Sequence, residues 1–248
     1  MVYSVELSRG IAVMAKPNPR ARRGIDKSEI LDAAFKMYSE GGEQAFSVRK
    51  VGLAAGVDPM TVLHHFGSKN ELLRHIADRA LGTVEIPAPS GDWQRDLKNV
   101  ANAYRDLAHR HQHAFHLHFR FHATGPADHA SSEIVYRAMR SVLPSDDLAA
   151  GLGLAFYTFV MGFGLCEIEG QLRPINDADE AELMALDPVA CPATRALVPA
   201  FKVLNPDAAF EAAIDAFISG VAARHGGPKV AITDRKPAPR ISVAGTRR

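Results

Sequence analysis

Two groups of side chains carry most of the chemistry available to this chain. The first is the edge formed by Asp58, Met60, Thr61, Leu63, His64 and His65, with Lys69 just beyond. Side chains of those types on one short helix can meet base edges and phosphates in the major groove of DNA. The second is the histidine run His109, His111, His113, His116, His118 and His122. If no turn intervenes, His109, His113 and His116 share one helical face and His111, His118 and His122 another. Imidazoles four residues apart can reach a shared metal ion. Two readings of the run stay open: a metal sensor with Glu167 or Glu169 as a carboxylate ligand, or a pocket wall with solvated histidines at a helix junction. There is no HExxH, GxSxG, P-loop or CxxC, and Gly162-Phe163-Gly164 lacks the third glycine of a nucleotide fingerprint. The chain is therefore not expected to be an enzyme or to hold a cofactor.

The first group must be aimed by the stretch from Ser47 to Phe66, which reads as two short helices joined by a tight turn. Ser47 can cap the first by accepting from an unpaired backbone N–H. Val51 and Ala55 fall on one face, four residues apart, with Gly52 beside them. Gly56 stands where a helix end wants positive φ, and Val57 is an apolar plug after it. Asp58-Pro59 restarts a helix, because Asp suits the cap and Pro the first helical position. The second helix buries Val62 and Phe66. Gly52 lets it cross the first closely, giving a helix-turn-helix whose second helix can enter the major groove. The bare pattern also fits an ordinary helical hairpin with no nucleic-acid role; the flanking residues separate the two.

Those flanks are Ile30-Leu31-x-x-Ala34-Phe35, Glu40-Gly41-Gly42, Phe46-Ser47-Val48-Arg49, Ala55-Gly56-Val57, Thr61-Val62-Leu63-His64-His65-Phe66 and Ser68-Lys69-Asn70-Glu71-Leu72-Leu73. With them, residues 27–82 resemble the DNA-binding domain of TetR-type transcriptional regulators over its full length. The resemblance implies that Pro59, Met60 and Leu63 face base edges, that Thr61 serves a base edge or a phosphate, and that Ser47, Arg49, His65 and Lys69 hold the backbone. His64 is placed with them as a DNA-facing residue. Leu63 stands where the family usually has Tyr, so contact there must be apolar. Lys50 stands where an acidic residue often completes the cap of the first helix, which leaves positive charge toward DNA.

The formal net charge of +1 hides a partition. Residues 1–82 carry 12 Lys and Arg against 9 Asp and Glu, residues 83–225 carry 11 against 18, and residues 226–248 carry 6 against 1. A basic module on an acidic body suits one part facing phosphates and another facing something else. Residues 1–25 read as a flexible basic arm whose Arg22 and Arg23 can reach the minor groove or phosphates. Residues 26–83 form the helix-turn-helix domain, beginning at an Asp26–Glu29 capping box, with a first helix ended by Gly41-Gly42. Ser68 and Glu71 open a coupling helix. The linker Val84 to Gly91, with Pro87 and Pro89, is the domain boundary.

Residues 91–225 read as a helical ligand-binding and dimerisation domain. Its expected helices are a long one from Trp93 past Leu107, one over roughly 112–124 stopped by Gly125-Pro126, and one over about 130–143. Short helical pieces follow within 172–205, and a last helix covers about 207–225. The tail 226–248 is expected to be disordered. The 19 residues from Leu148 to Cys166 carry no charge and are long enough to span a membrane. Their flanks, Asp146-Asp147 and Glu167 with Glu169, offer no basic anchor, so no membrane is expected. A helix apolar all round is otherwise buried by its own domain and by a partner subunit. In the TetR family the corresponding helix joins the last one in a four-helix bundle across a dimer, which implies a homodimer through helices near 148–170 and 207–225. Resemblance to the tetracycline-repressor subgroup further implies an effector cavity lined by Phe115, His118, Phe119, His122, Met139, Phe156, Tyr157, Phe159 and Met161. Helical spacing alone fits plain core equally well.

Two cysteines, Cys166 and Cys191, without finger spacing, suit free thiols in a reducing compartment. The N-terminus lacks the apolar core of a secretory signal. Together these readings describe an all-α, cytoplasmic transcriptional repressor. It binds a palindromic double-stranded operator as a homodimer and is released by an unidentified small molecule. The rivals are a metal sensor using the His109–His122 cluster and a structural dimer whose DNA module has decayed.

Overall fold

The computed structural model describes residues 25–225, which are helical throughout, with no strand among the described residues. The basic arm up to Gly24 and the tail beyond His225 lie outside the described residues. Helix α1 (Lys27–Ala45) packs on α2 (Val48–Ala55) and α4 (Lys69–Leu81), with α3 (Pro59–Phe66) against α2. The sequence drives this arrangement through a stripe of Ile30, Ala34, Tyr38, Val51, Val62 and Phe66, all buried. One sequence expectation for α1 needs correcting. The Asp26 side chain makes no cap hydrogen bond; its Oδ2 accepts from Ser28 Oγ at 2.9 Å instead. Gly41-Gly42 ends the regular part of α1 as expected, because Gly42 leaves helical geometry. Gly42, at φ 59° and ψ −157°, breaks the helix, and a short helical piece follows to Ala45. A Cβ at Gly42 would lie 2.9 Å from His113 Nδ1, so the kink also clears space for the body.

The non-helical stretch after Leu81 leads to Asp92, whose Oδ1 accepts from the Gln94 and Arg95 N–H groups at 3.0 and 3.3 Å. It opens α5 (Trp93–Arg110), which packs against α7 (Pro126–Val142) and α8 (Asp146–Ile168). Between α5 and α7 the expected helix over 112–124 is not continuous. It is the single turn α6 (Gln112–Phe115), a 3₁₀ turn at His116–Phe119, and a loop. The break comes at His111, with φ −133° and ψ 53°. Gly125-Pro126 starts α7 rather than merely stopping what precedes it, so that helix begins four residues before its expected start.

Beyond α8, two short helices, α9 (Asp177–Ala185) and α10 (Pro192–Phe201), form the expected pieces, and α11 (Pro206–His225) closes the chain. Arg105 of α5 ties three helices together. It donates to Glu167 Oε2 and Oε1 at 2.8 and 2.6 Å near the end of α8, and to Asp207 at 2.6 Å on α11. Helix α8 is long and apolar enough to cross a membrane, yet its buried face packs on α5 and α7. Its other face and that of α11 are apolar and uncovered. Leu148 is 40% exposed, and Ala155, Ala212, Ala216 and Gly220 are exposed with it.

Candidate functional site

The helix-turn-helix is built by caps at each joint. Ser47 Oγ accepts from Lys50 N at 3.2 Å, and Asp58 Oδ1 accepts from Met60 N at 2.7 Å. Gly56 takes the left-handed conformation, φ 70°, and the Val57 N–H donates to the Gly52 carbonyl at 2.8 Å. With Val62 and Phe66 anchored inward, α3 turns its other side to solvent. Met60 is 68% exposed; His64, Arg49 and Lys69 are exposed, and Ser47, Pro59, Thr61, Leu63 and His65 are half-buried. The nine residues named for DNA therefore all reach the surface of the head. Lys50 behaves differently from expectation. Its Nζ donates to the Ala45 carbonyl at 2.9 Å, so its charge caps the end of α1 instead of projecting outward.

The histidine run is dispersed by the break at His111. His109 Nε2 lies 3.2 Å from Glu167 Oε2, and His116 Nε2 lies 3.1 Å from Glu169 Oε1. His111 Nε2 is 2.8 Å from Thr83 Oγ1, with its ring against Phe35, and His113 sits against Gly42. Each carboxylate holds one imidazole, and no cluster of three or more His, Cys, Asp or Glu side chains poised to hold a metal exists among the described residues. A shared metal across this run has no geometry to support it.

His118 and His122 instead line a cavity of about 400 Å³ between α5, the 3₁₀ turn and its loop, α7 and α8. Of the stripe named from sequence, His118, Phe119, His122, Tyr157 and Met161 line it. Phe115, Met139 and Phe156 are fully buried in the core, and Phe159 stacks on Phe217 of α11 at 6.2 Å between ring centroids. Sequence reasoning missed the rest of the wall, Tyr104, Thr124, Asp128, His129 and Tyr136 among it. Tyr104 was visible as part of the apolar stripe of α5; Asp128 needed Pro126 to be recognised as a helix start. Inside the wall, Asp128 Oδ1 accepts from Tyr104 OH at 2.8 Å and Asp128 Oδ2 from Thr124 N at 2.9 Å. Ser131 Oγ stands 3.3 Å from Tyr157 OH. Burial holds the Tyr104 phenol well above its usual range and pushes Tyr157 up to about 12, so both stay neutral.

The cavity is fastened directly to α4. Asp78 Oδ1 accepts from Ala127 N at 2.9 Å and Asp128 N at 3.3 Å, so a carboxylate of the head caps the first turn of α7. A Cβ at Gly125 would stand 2.7 to 2.9 Å from that carboxylate. The 3₁₀ turn that carries His118 packs on α4. Arg120, in the cavity loop, pairs with Glu43 at the end of α1, and Glu43 lies 3.8 Å from Lys69.

Burial pushes His75, His111 and His118 below the ordinary imidazole range, with nearby cations adding to it at His75 and His111. In the unfolded chain these rings take up protons near pH 6.5, while the folded protein withholds them. The unfolded state then binds more protons, so stability present above about pH 6.5 falls as the pH drops toward 5. A lower urea midpoint at pH 5.5 than at pH 7.5 is expected, with part of the drop removed in His118→Phe.

A helix-turn-helix head joined by one helix to a cavity-bearing helical body is the build of a one-component regulator. Residues 86–225 match the family described as tetracyclin repressor-like, C-terminal domain, and residues 30–76 match bacterial regulatory proteins, tetR family. The chain belongs to the TetR family. The class A tetracycline repressor of transposon 1721 from Escherichia coli is 24% identical over 204 residues, covering 81% of this chain and 92% of the relative. Apo ActR of Streptomyces coelicolor superposes with a TM-score of 0.72 at 25% identity, over 83% of this chain and 99% of ActR. ActR in complex with actinorhodin gives 0.70 at 24%, over 81% and 98%. BioQ with its double-stranded DNA operator gives 0.58 at 20% identity, over 80% and 98%, a likeness of fold.

Proposed function

We propose that this chain is a cytoplasmic, ligand-responsive transcriptional repressor that binds a palindromic operator as a homodimer. The observation that carries the reading is the outward, capped face of α3 on a head whose coupling helix also forms part of the cavity's attachment. In the dimer, α8 and α11 of two copies form a four-helix bundle and place two α3 helices in major grooves about 34–36 Å apart, or a multiple of that. Met60, Leu63 and Pro59 present apolar atoms to base edges, where thymine methyls are their natural partners. Thr61 and His64 supply polar contacts, while Ser47, Arg49, His65 and Lys69 hold phosphates. The relatives support this reading: ActR takes actinorhodin, and BioQ takes a double-stranded operator. The rival of a structural dimer with a decayed DNA module has no support in the head, whose core and whose Ser47, Asp58 and Ser68 caps are intact.

Effector binding is coupled to the head through Asp78, the packing of the His118 turn on α4 and the Arg120–Glu43 pair. A molecule that binds the cavity better in one α4 position shifts the equilibrium by that differential affinity and no more. The spacing of the α3 helices then no longer matches successive grooves.

Footprinting of the chain's own promoter region, followed by mobility shifts at two salt concentrations, tests the proposal. Arg49 and Lys69 from each protomer give about four charged phosphate contacts, which predicts a loss of affinity of about a hundredfold between 50 and 200 mM salt. Salt-insensitive binding, or no protected segment, would count against it.

A further inference from the structure

A carboxylate at the junction of head and body faces two cations that serve different ends of the molecule. Glu43 lies in the short piece of α1 that follows Gly42. Arg120 Nη2 donates to its Oε2, and Lys69 Nζ lies 3.8 Å from its Oε1. Lys69 opens α4 behind the Ser68 cap and is the residue proposed to hold a DNA phosphate. Arg120 follows the 3₁₀ turn and stands between Phe119 and Phe121, both of which line the cavity. One oxygen of Glu43 thus meets the cavity loop and the other meets the DNA-facing side of the head.

The two cations are not equal competitors. A guanidinium presents a planar fork that suits a carboxylate, whereas an ammonium is a compact, strongly hydrated point charge. Arg120 makes the hydrogen bond; at 3.8 Å Lys69 is beyond the reach of one and feels the carboxylate through its charge. The bond from Arg120 also holds the Glu43 carboxyl below the usual carboxylate range, so it is ionised near neutral pH. Lys69 meanwhile rests its ammonium 5.9 Å from the centre of the Phe46 ring. All three charged side chains are between 44% and 47% exposed, where ion pairs are weak enough to exchange partners. With Arg120 withdrawn, Lys69 is the cation that remains beside Glu43.

We propose that Arg120 is a positioning residue for DNA binding: by occupying Glu43 it leaves the Lys69 charge to phosphate, and a cavity occupant that displaces Phe119 and Phe121 withdraws Arg120 and lets Glu43 neutralise Lys69. The inference rests on the reading of the chain as a ligand-responsive repressor and adds an electrostatic contribution to the change in α3 spacing. The charges set the size of the effect. A freed Glu43 either keeps Lys69 or stands unpaired beside a phosphate and takes up a cation from solution. Each way, about one fewer counterion is released per protomer.

Anisotropy of the full-length protein on a fluorescein-labelled duplex from its own promoter region, between 50 and 200 mM salt, tests the proposal. With about four charged contacts the parent loses about a hundredfold over that range. Arg120→Gln should start about tenfold weaker at 50 mM and lose only about tenfold more, since about two contacts are gone. Glu43→Gln breaks the same pair yet should stay within about twofold of the parent, and adding it to Arg120→Gln should restore the parent's curve. In a Lys69→Met background, itself reduced to the shallower salt dependence, Arg120→Gln should change nothing further. A clasp that merely holds head to body predicts instead that Arg120→Gln and Glu43→Gln weaken binding alike. That result, or an effect of Arg120→Gln that survives in Lys69→Met, overturns the proposal alone. The wider reading fails differently. If the parent binds the duplex without salt dependence, or Lys69→Met keeps the parent's slope, the DNA-facing assignment of Lys69 falls and this proposal falls with it.

Discussion

Ala155→Glu should sediment as a monomer and lose its hold on operator DNA. Ala155 lies on the uncovered side of α8, in line with Gly151 and Gly162, and faces the same side as Ala212, Ala216 and Gly220 of α11 are proposed to occupy in the bundle. A Cβ at Gly151, Gly162 or Gly220 would meet nothing within 4 Å, so the protomer leaves open space along these helices. Only 28% of the most apolar window of α8 is buried in the single chain. A second copy of the same face is the simplest cover for it, since a two-fold interface matches a patch to itself. Glutamate at 155 would put one unpaired carboxylate from each chain into that seam, and an unpaired buried charge costs about 3–5 kcal/mol. With two per dimer, the dissociation constant rises by more than about a thousandfold. Operator affinity falls with it, because the two heads no longer bind as one unit. Helical content should be unchanged, as the site is on the protomer surface, and Ala155→Ser should behave like the parent. A dimer of Ala155→Glu at the same concentration, with an intact footprint, would refute the proposed bundle.

The head was legible in the sequence because each of its signals is local. Ser47, Gly56 and Asp58-Pro59 act within four residues of where they stand, and Val51, Val62 and Phe66 have no other face to turn. Asp26 shows the limit of that logic: its carboxylate accepts from a hydroxyl two residues away, on Ser28, and makes no cap bond. The body was less legible because its key features depend on contacts distant in sequence. Six histidines at helical spacing look like a ligand set until the chain breaks at His111, where Thr83 and Phe35 hold the ring. Pro126 carries the same ambiguity in itself, since proline both ends one helix and opens the next. The aromatic stripe gave the right helices but not the right ends of them. Periodicity says that Phe115, Phe156 and Tyr157 lie inward. It cannot say that neighbours fill the space at Phe115 and Phe156 and leave it open at Tyr157.

Gly52→Val should weaken specific operator binding by about a hundredfold or more while leaving the helical body and its dimer intact. The glycine sits in α2 where the turn folds back over it. An added Cβ would stand 2.8 Å from the Val57 carbonyl oxygen, 3.2 Å from Pro59 N and 3.4 Å from the Asp58 carbonyl carbon. All three are backbone atoms, so no side chain can swing away to make room. The Val57 N–H is bonded to the Gly52 carbonyl at 2.8 Å, which fixes the turn to the residue being enlarged. Relief therefore requires α3 to move as a body, and overpacking of this kind costs about 1–3 kcal/mol before any DNA is met. Displacement of α3 misaligns Met60, Thr61 and Leu63 in both half-sites, and a lost base contact costs about 1–3 kcal/mol each time. An affinity loss of about a hundredfold or more follows, with a smaller loss for Gly52→Ala, which adds the Cβ without the branches. The body lies beyond α4 and does not involve this turn, so sedimentation as a dimer should be unaffected. Anisotropy on operator duplex decides the matter: Gly52→Val binding within about twofold of the parent would mean that α3 is not the reading helix.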